Sequence, residues 1–414
     1  MIRILIISLS ALAASVNCWA GESTLVTFSG SNGIGPVASL ALDSSGNLYG
    51  TTSAGGPNGN GTVFKLTPGS NGTWSQSILY DFCTTLHPKG PCGPFAPVVL
   101  DSAGNIYSTS YYGGSSTGST NCGSTGCGTV FRLSPTKTGS WKETTLYSFR
   151  GGKDGSNPNG GVVLDSKGTL YGTTVFGGGA NGSGTVFMLT RTAKGWKETI
   201  LHGFTGTAGD GACPNAGPSF DQLGNLYGTT LSGGQSLTNG TVFELSPTTS
   251  GVWNFSVIHS FSALEINGTD GAGPVGGVIA DAAGNLYVAT AGGGAQNLGA
   301  VIQLTPGSDG FTPTLLYSFQ GLADGADPKA AVTLDISGNL YGTVTQNTSY
   351  GQGGVFKLTP SGGGSWTESV LLSFEGIDGA TPWAGVILDS PGNLYGTTEF
   401  GGSSGDGVVF EVTP

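Results

Sequence analysis

The decapeptide DSSGNLYGTT, starting at Asp43, recurs as DSAGNIYSTS at Asp101, DSKGTLYGTT at Asp165 and DQLGNLYGTT at Asp221. It returns again as DAAGNLYVAT at Asp281, DISGNLYGTV at Asp335 and DSPGNLYGTT at Asp389. Successive marker aspartates lie 58, 64, 56, 60, 54 and 54 residues apart. A period of this length is the signature of a propeller or a solenoid. In such an array no unit buries its apolar faces alone, and stacking against its neighbours does so.

Each unit carries four β-type segments. The first ends at the marker aspartate. Seven residues before that aspartate stands a proline: Pro36, Pro94, Pro158, Pro214, Pro274, Pro328 or Pro382. Five before it stands Ala or Gly, from Ala38 and Ala96 to Ala330 and Ala384. Proline suits the first position of a strand, where no ladder N–H is needed, and small residues let the innermost strands of a ring approach. The second segment is GNLYGTT, entered through an Asp-x-x-Gly turn in which Asp accepts backbone N–H groups and Gly takes a positive φ. Its tyrosine (Tyr49 in the first unit, Tyr395 in the last) reads as one buried aromatic per sheet. The third is GTVFKLTP at Gly61 and its counterparts. The fourth opens on Trp74, Trp141, Trp196, Trp253, Phe311 or Trp366.

Seven units of four strands predict an all-β, seven-bladed β-propeller. The seventh unit stops after its third segment, and TLVTF at residues 24–28 has the character of the missing fourth. That strand is therefore expected to complete the last blade and close the ring, making residues 21–414 a single domain. No helix-period segment follows residue 20.

Glycine accounts for 77 of 414 residues, far above the usual ~7%. The glycines sit among Val, Phe, Tyr, Leu and Thr, so they mark turns in a β protein rather than disorder. The formal net charge of −11 argues against nucleic acid as a partner, because an acidic surface repels phosphate. Residues 1–20 pair Arg3 with an apolar run from Ile4 to Val16 and place Cys18 and Ala20 at −3 and −1 of a cleavage site. This is a secretory leader, too short for a transmembrane span of ~20 residues. Lipid modification of Cys18 is the alternative. Secretion allows disulfides, and the short spacings of Cys83 with Cys92 and of Cys122 with Cys127 predict two. Cys213 is left as a packed thiol. The protein is expected in a periplasm, at the cell surface or outside the cell, as a monomer with no cofactor other than a candidate Ca²⁺.

The run G-N-L-Y-G-T-T, then G-G, then G-T-V-F-x-L-T-P resembles the GloVer-type tandem repeat of secreted bacterial proteins, over all seven units. The D-x-x-G-N-L-Y hairpin alone is similar to hairpins of NHL-type and streptogramin-lyase-like propellers. The resemblance implies the propeller fold and brings neither an activity nor catalytic residues.

Candidate sites lie on the face that carries the loops between strands two and three together with the loops between blades. Tyr111, Tyr112, Phe176, Tyr350 and Phe400 sit there and are candidates for stacking on sugar rings or a protein partner. Asp154, Asp210, Asp270, Asp324 and Asp378 recur four residues before the proline, with Asn32 in the first blade and Gly90 in the second. They are either candidate Ca²⁺ ligands or local Asp-Gly turns. Only three histidines are present; His202 and His259 replace a repeated tyrosine, and His87 lies between two cysteines. Glu265, Glu375 and Glu399 are the least repetitive acids and the candidates for any carboxylate chemistry across the axis. The expected function is a non-enzymatic binding scaffold for carbohydrate or protein. The alternatives are a polysaccharide-active or lyase-type propeller enzyme and a structural surface protein.

Overall fold

The computed structural model describes residues 21–83, 89–116, 121–179, 181–262, 270–321 and 323–414. The leader, Cys18, His87 and Glu265 lie outside these residues. Seven four-stranded antiparallel sheets form the seven blades of a β-propeller. In the first blade the strands are Ala41–Leu42, Leu48–Thr52, Thr62–Pro68 and Trp74–Asp81, ordered from the axis outward. The innermost strand is short in every blade, two or three residues.

The seventh blade is closed as the sequence predicts. Gly21–Thr27 pairs antiparallel with Val408–Thr413, with Glu22 opposite Val412 and Thr24 opposite Phe410. Phe28 then donates its N–H to Gly407 O at 2.9 Å. The same bond joins Phe82 to Gly61, Phe149 to Gly128 and Phe204 to Gly184. The phenylalanine that ends each outer strand is fully buried and packs edge-on against the third strand of the next blade. Phe82 meets Phe131 at 5.4 Å, Phe149 meets Phe187 at 5.1 Å, and Phe28 of the seventh blade meets Phe64 of the first at 5.3 Å.

Two small-residue devices make room for this packing. Gly50 lies opposite Phe64 across the second and third strands, and a Cβ there would fall 2.5 Å from the Phe64 ring. Where the third strand carries Ile302 in place of Phe, its opposite number is Val288 rather than glycine. At the axis the inner strands nearly touch. A Cβ on Gly160 would lie 1.9 Å from Gly217 N and 2.1 Å from Ala216 C. The clash is with backbone, which cannot rotate away. Gly160→Ala is therefore expected to cost about 1–3 kcal/mol through forced shifts of two blades, read as a lower melting temperature; an unchanged value would show that the ring loosens freely.

Hydroxyls tie neighbouring blades together near the axis. Thr51 donates to Ala96 O at 3.0 Å, Thr173 to Ala216 O at 2.8 Å, Thr229 to Gly276 O at 2.7 Å and Thr343 to Ala384 O at 2.9 Å. Thr397 of the seventh blade donates to Ala38 O of the first at 3.3 Å, again across the ring closure.

Each marker aspartate organises its hairpin. Asp43 Oδ1 accepts from the N–H of Ser45 and Asn47, and Oδ2 accepts from the Asn47 amide and the Tyr49 hydroxyl, all within 3.0 Å. The repeated tyrosine is thus a core ring whose hydroxyl reaches the turn. Burial pushes the Asp43 carboxyl up, but these bonds outweigh it and hold it below the ordinary aspartate value.

Candidate functional site

On the opposite face from these hairpins, each incoming interblade loop pairs with the loop between strands two and three. Pro91–Cys92 pairs with Tyr112–Gly113, Gly211–Ala212 with Ser232–Gly233, and Asp324–Ala326 with Gln346–Thr348. Single bridges do the same at Ile34 with Ala54, Ser156 with Phe176 and Ala380 with Phe400. Among the described residues the loop face is therefore a ring of short ribbons. The disulfides Cys83–Cys92 and Cys122–Cys127 brace it at the first two blades, and Cys213 is a free, half-buried thiol.

The repeated Asp-Gly aspartates serve the blade interfaces. Asp210 Oδ1 lies 3.2 Å from His202 Nε2 and Asp270 Oδ1 lies 3.1 Å from His259 Nε2. Tyr317 donates to Asp324 at 2.8 Å, and Tyr147 donates to Asp154. His202 also stacks on Phe255 of the next blade at 3.4 Å. Burial raises the Asp210 carboxyl, but bonds from His202, Thr205 and Gly211 overcome it and bring it down to about 2. Asp378 accepts from the N–H of Glu375 at 2.7 Å. Among the described residues no group of three His, Cys, Asp or Glu is placed to hold a metal ion. Asp154, Asp210, Asp270, Asp324 and Asp378 each lie in a different interblade loop and have partners of their own, as a turn-and-interface device would.

Three of these loop aspartates face a glutamate from the outer strand of the blade that their loop enters. Glu198, Glu368 and Glu22 occupy one equivalent position, opposite Leu189, Leu358 and Val412. Burial and then Asp154 push Glu198 up to about 9. Burial and Asp324 push Glu368 up to about 7, and burial with Asp378 and Glu375 does the same for Glu22. The first blade builds this contact from neutral amides. Asn32 donates to Gln76 Oε1 at 2.8 Å, and Gln76 donates back to Asn32 O at 3.0 Å.

Of the candidate aromatics, Tyr111 and Tyr112 come together at 4.8 Å and form a cluster with Phe95. Phe176, Tyr350 and Phe400 stand singly on the third, sixth and seventh blades. No ring contact joins them to another aromatic among the described residues. They are 45%, 57% and 51% exposed, and Tyr112 is 36% exposed. Among the described residues eleven large hydrophobic side chains are exposed, and seven of them lie on this face: Tyr112, Phe176, Leu231, Leu237, Tyr350, Ile377 and Phe400.

At the centre of the same face is a cavity of about 580 Å³ around the axis. Its rim comes from the position between the constant proline and the constant small residue. Blades seven, one and two supply Trp383, Val37 and Phe95, an apolar arc. Blades three and four supply Asn159 and Asn215, blade five Val275 and blade six Lys329. Ser53 and Glu399, from the loops between strands two and three, also line it.

The charged sector is internally compensated. Lys329 Nζ is 3.2 Å from Asp327 Oδ2 and 3.9 Å from the centre of the Trp383 ring. Thr345 also donates to Asp327 Oδ2, at 2.9 Å. Burial raises the Glu399 carboxyl, and Trp383 and Lys329 pull it partly back. The Trp383 indole N–H is buried without a well-aligned acceptor; it lies close enough to Glu399 to favour the charged carboxylate.

The residue before each axial proline is in the left-handed region in all seven blades. It is glycine in blades one, two and five (Gly35, Gly93, Gly273). In the others it is Asn157, Cys213, Asp327 and Thr381, with φ between 54° and 62°. Non-glycine residues are uncommon there; Asn157 and Asp327 tolerate the region, whereas Cys213 and above all Thr381 hold it under strain, and strain of this kind collects at functional sites. These four blades are the ones that place Asn159, Asn215, Lys329 and Trp383 on the rim.

The fold defines a seven-bladed β-propeller in which the residue between the repeated proline and the repeated Ala or Gly varies around this mouth. The Gloeobacter/Verrucomicrobia repeat model matches residues 117–265 and 237–414, and the chain belongs to that family. No curated protein matches it in sequence. Among solved structures it is similar to virginiamycin B lyase from Staphylococcus aureus, at 14% identity and a TM-score of 0.52, covering 95% of this chain and 99% of the other. It is also similar to PorZ, a surface component of the type-IX secretion system of Porphyromonas gingivalis, at 14% identity and 0.54, covering 94% of this chain and 48% of PorZ. A polysaccharide lyase of the PL25 ulvan lyase family matches at 12% identity and 0.52, covering 93% and 94%. At these identities the likeness is one of fold.

Proposed function

We propose that the protein is an extracytoplasmic binding protein that holds a carbohydrate through its loop face and does not cleave it. The observation that carries this reading is the concentration of exposed aromatic and aliphatic side chains on that face. Single exposed hydrophobics are ordinary, whereas a set gathered on one face marks a recognition surface. Rings presented on braced ribbons suit stacking against sugar C–H faces, with little order to be imposed on binding. Two disulfides, and the lack of any helix long and apolar enough to cross a membrane among the described residues, agree with an oxidising compartment.

An enzymatic reading has one observation in its favour, the non-repeating Glu399 and Lys329 at the axis. Lys329 is paired with Asp327 and covered by Trp383, so it does not present a free base. The lyases among the structural neighbours share the fold and lend no residues.

The test is a thermal-shift panel of residues 21–414 against soluble polysaccharides, followed by sizing of the recovered polymer. We expect a saturable rise of a few degrees with one glycan class, reduced by Phe176→Ala and Phe400→Ala, with polymer length unchanged. A shortened polymer would establish the enzyme instead, and no shift with any glycan would remove the carbohydrate reading.

A further inference from the structure

We infer that the axial mouth is a built site for one uncharged pyranose unit, the anchoring subsite of the loop-face surface proposed above, on which this inference rests. The first argument comes from the repeat itself. Positions on both sides of the rim residue are fixed, proline before and Ala or Gly after, yet the rim residue varies from blade to blade. A folding device is needed in every blade. A site is needed once, so the position freed from repetition is where a ligand would be read.

The second argument is chemical. Asn159 Nδ2 donates to Asn215 Oδ1 at 2.9 Å. That bond leaves one amide oxygen on Asn159 and one amide N–H₂ on Asn215 at the cavity with no protein partner among the described residues. If both amides were turned over, one donor and one acceptor would still remain. A side-by-side donor and acceptor matches two neighbouring hydroxyls of a sugar, each of which both gives and accepts. Across the mouth, Trp383, Val37 and Phe95 offer an apolar wall for the C–H face of the same ring. A pyranose has this division between a polar edge and an apolar face.

The third argument selects the charge class. The one rim cation, Lys329, is neutralised by Asp327 and lies over Trp383, and Glu399 stands beside it. An acidic sugar would meet no uncompensated positive charge and would face a carboxylate. An uncharged sugar loses nothing there. The cavity, about 580 Å³, lies within the ordinary range of ligand sites and has room for one sugar ring with its linkage pointing outward to the aromatic rim.

The strained backbone supports the same assignment. Asn157, Cys213, Asp327 and Thr381 hold a conformation that glycine fills in the other blades, each two residues before one of the four polar or aromatic anchors. The blades with valine or phenylalanine on the rim do without that strain.

The experiment is ligand-observed NMR and tryptophan fluorescence on residues 21–414 with glucose, galactose, mannose and N-acetylglucosamine as probes and glucuronate as the charged control. One or more neutral sugars should bind saturably, with a dissociation constant on the order of millimolar for a ligand this small, and glucuronate at least tenfold more weakly. Asn159→Ala and Asn215→Ala should each weaken the sugar about tenfold while leaving the melting temperature within a degree or two. Phe176→Ala should leave the monosaccharide unaffected and weaken only the polymer. The inference is overturned if no neutral monosaccharide binds, if glucuronate binds as well as they do, or if the asparagine variants bind normally. A polymer that binds through Phe176 and Phe400 while the axial variants change nothing would refute this subsite and leave the loop-face reading standing. Failure of both polymer and monosaccharide would refute both.

Discussion

Phe28→Ala lowers the stability of the folded ring by about 3–5 kcal/mol, the usual cost of emptying a buried phenylalanine site. The residue belongs to the only strand that reaches its blade from the other end of the sequence. Its ring is fully buried against Phe64, and around it lie Leu40, Leu48, Leu66, Tyr395 and Val409. Those neighbours come from both the first and the seventh blades. Emptying the site removes contacts that join the two ends of the array, and the gap cannot close by a local shift of one blade. The control is Ile78→Ala, on the outer strand of the first blade and 36% exposed, where a change within about 0.5 kcal/mol is expected. Thermal and urea unfolding of the two variants provide the comparison. Equal small effects would mean that residues 21–28 are dispensable to the ring.

The second large effect is on pH. Stability should fall as pH rises from about 5 to 9. An unfolded glutamate gives up its proton near the ordinary value of 4.5, while folded Glu198 keeps its proton until about 9 and Glu368 and Glu22 keep theirs until about 7. Between those limits the folded chain binds more protons than the unfolded one, so raising the pH favours unfolding. The summed loss is on the order of 2–4 kcal/mol once solvent screening of these partly exposed groups is allowed for. Glu198→Gln keeps the shape and the donor of the protonated acid and has no proton to lose, as Gln76 already does in the first blade. It should leave the melting temperature at pH 5 nearly unchanged, raise it by a few degrees at pH 9, and flatten the slope between. A slope of the opposite sign, or a variant that tracks the parent at pH 9, would contradict the paired-carboxyl account. Below the usual aspartate value the sign reverses. Asp43, Asp101 and Asp335 are held low by their hairpin bonds, so their contribution is lost as they take up protons. The stability maximum should therefore lie in mild acid.

Much of this architecture was legible in the sequence because repetition averages out local ambiguity. The Asp-x-x-Gly turn, the proline seven before it and the Ala or Gly five before it each recur seven times, and a Thr-Pro or Ser-Pro closes the third strand in six units; together they give strand number, order and ring closure. The two disulfides followed from short spacing. What repetition conceals is the site. Reading for constant residues leads to the loop aspartates, which the structure places against Tyr147, His202, His259 and Tyr317. The exposed loop aromatics come instead from the irregular loops between strands two and three. Asn159, Asn215, Lys329 and Trp383 carry no local mark, because each looks unremarkable in its own unit. Their signal was in the column, a variable residue between an invariant proline and an invariant Ala or Gly. Glu399 stands out in the sequence as a non-repeating acid, but only the fold places it beside Trp383 and Lys329. The Asp–Glu contacts were hidden for another reason: Asp154 lies in the loop entering the third blade and Glu198 on that blade's outer strand, so the two are far apart in sequence and their pairing leaves no trace in local pattern.

The most direct measurement of the central claim is hydrogen–deuterium exchange of residues 21–414 with and without the glycan that gives the largest thermal shift. The account predicts slowed exchange in the segments around 53–54, 157–161, 213–217, 327–331 and 381–385, where the rim residues and their strained neighbours lie, with the Asp-x-x-Gly hairpins unchanged. Protection confined to the hairpin face or to the outer strands would contradict it.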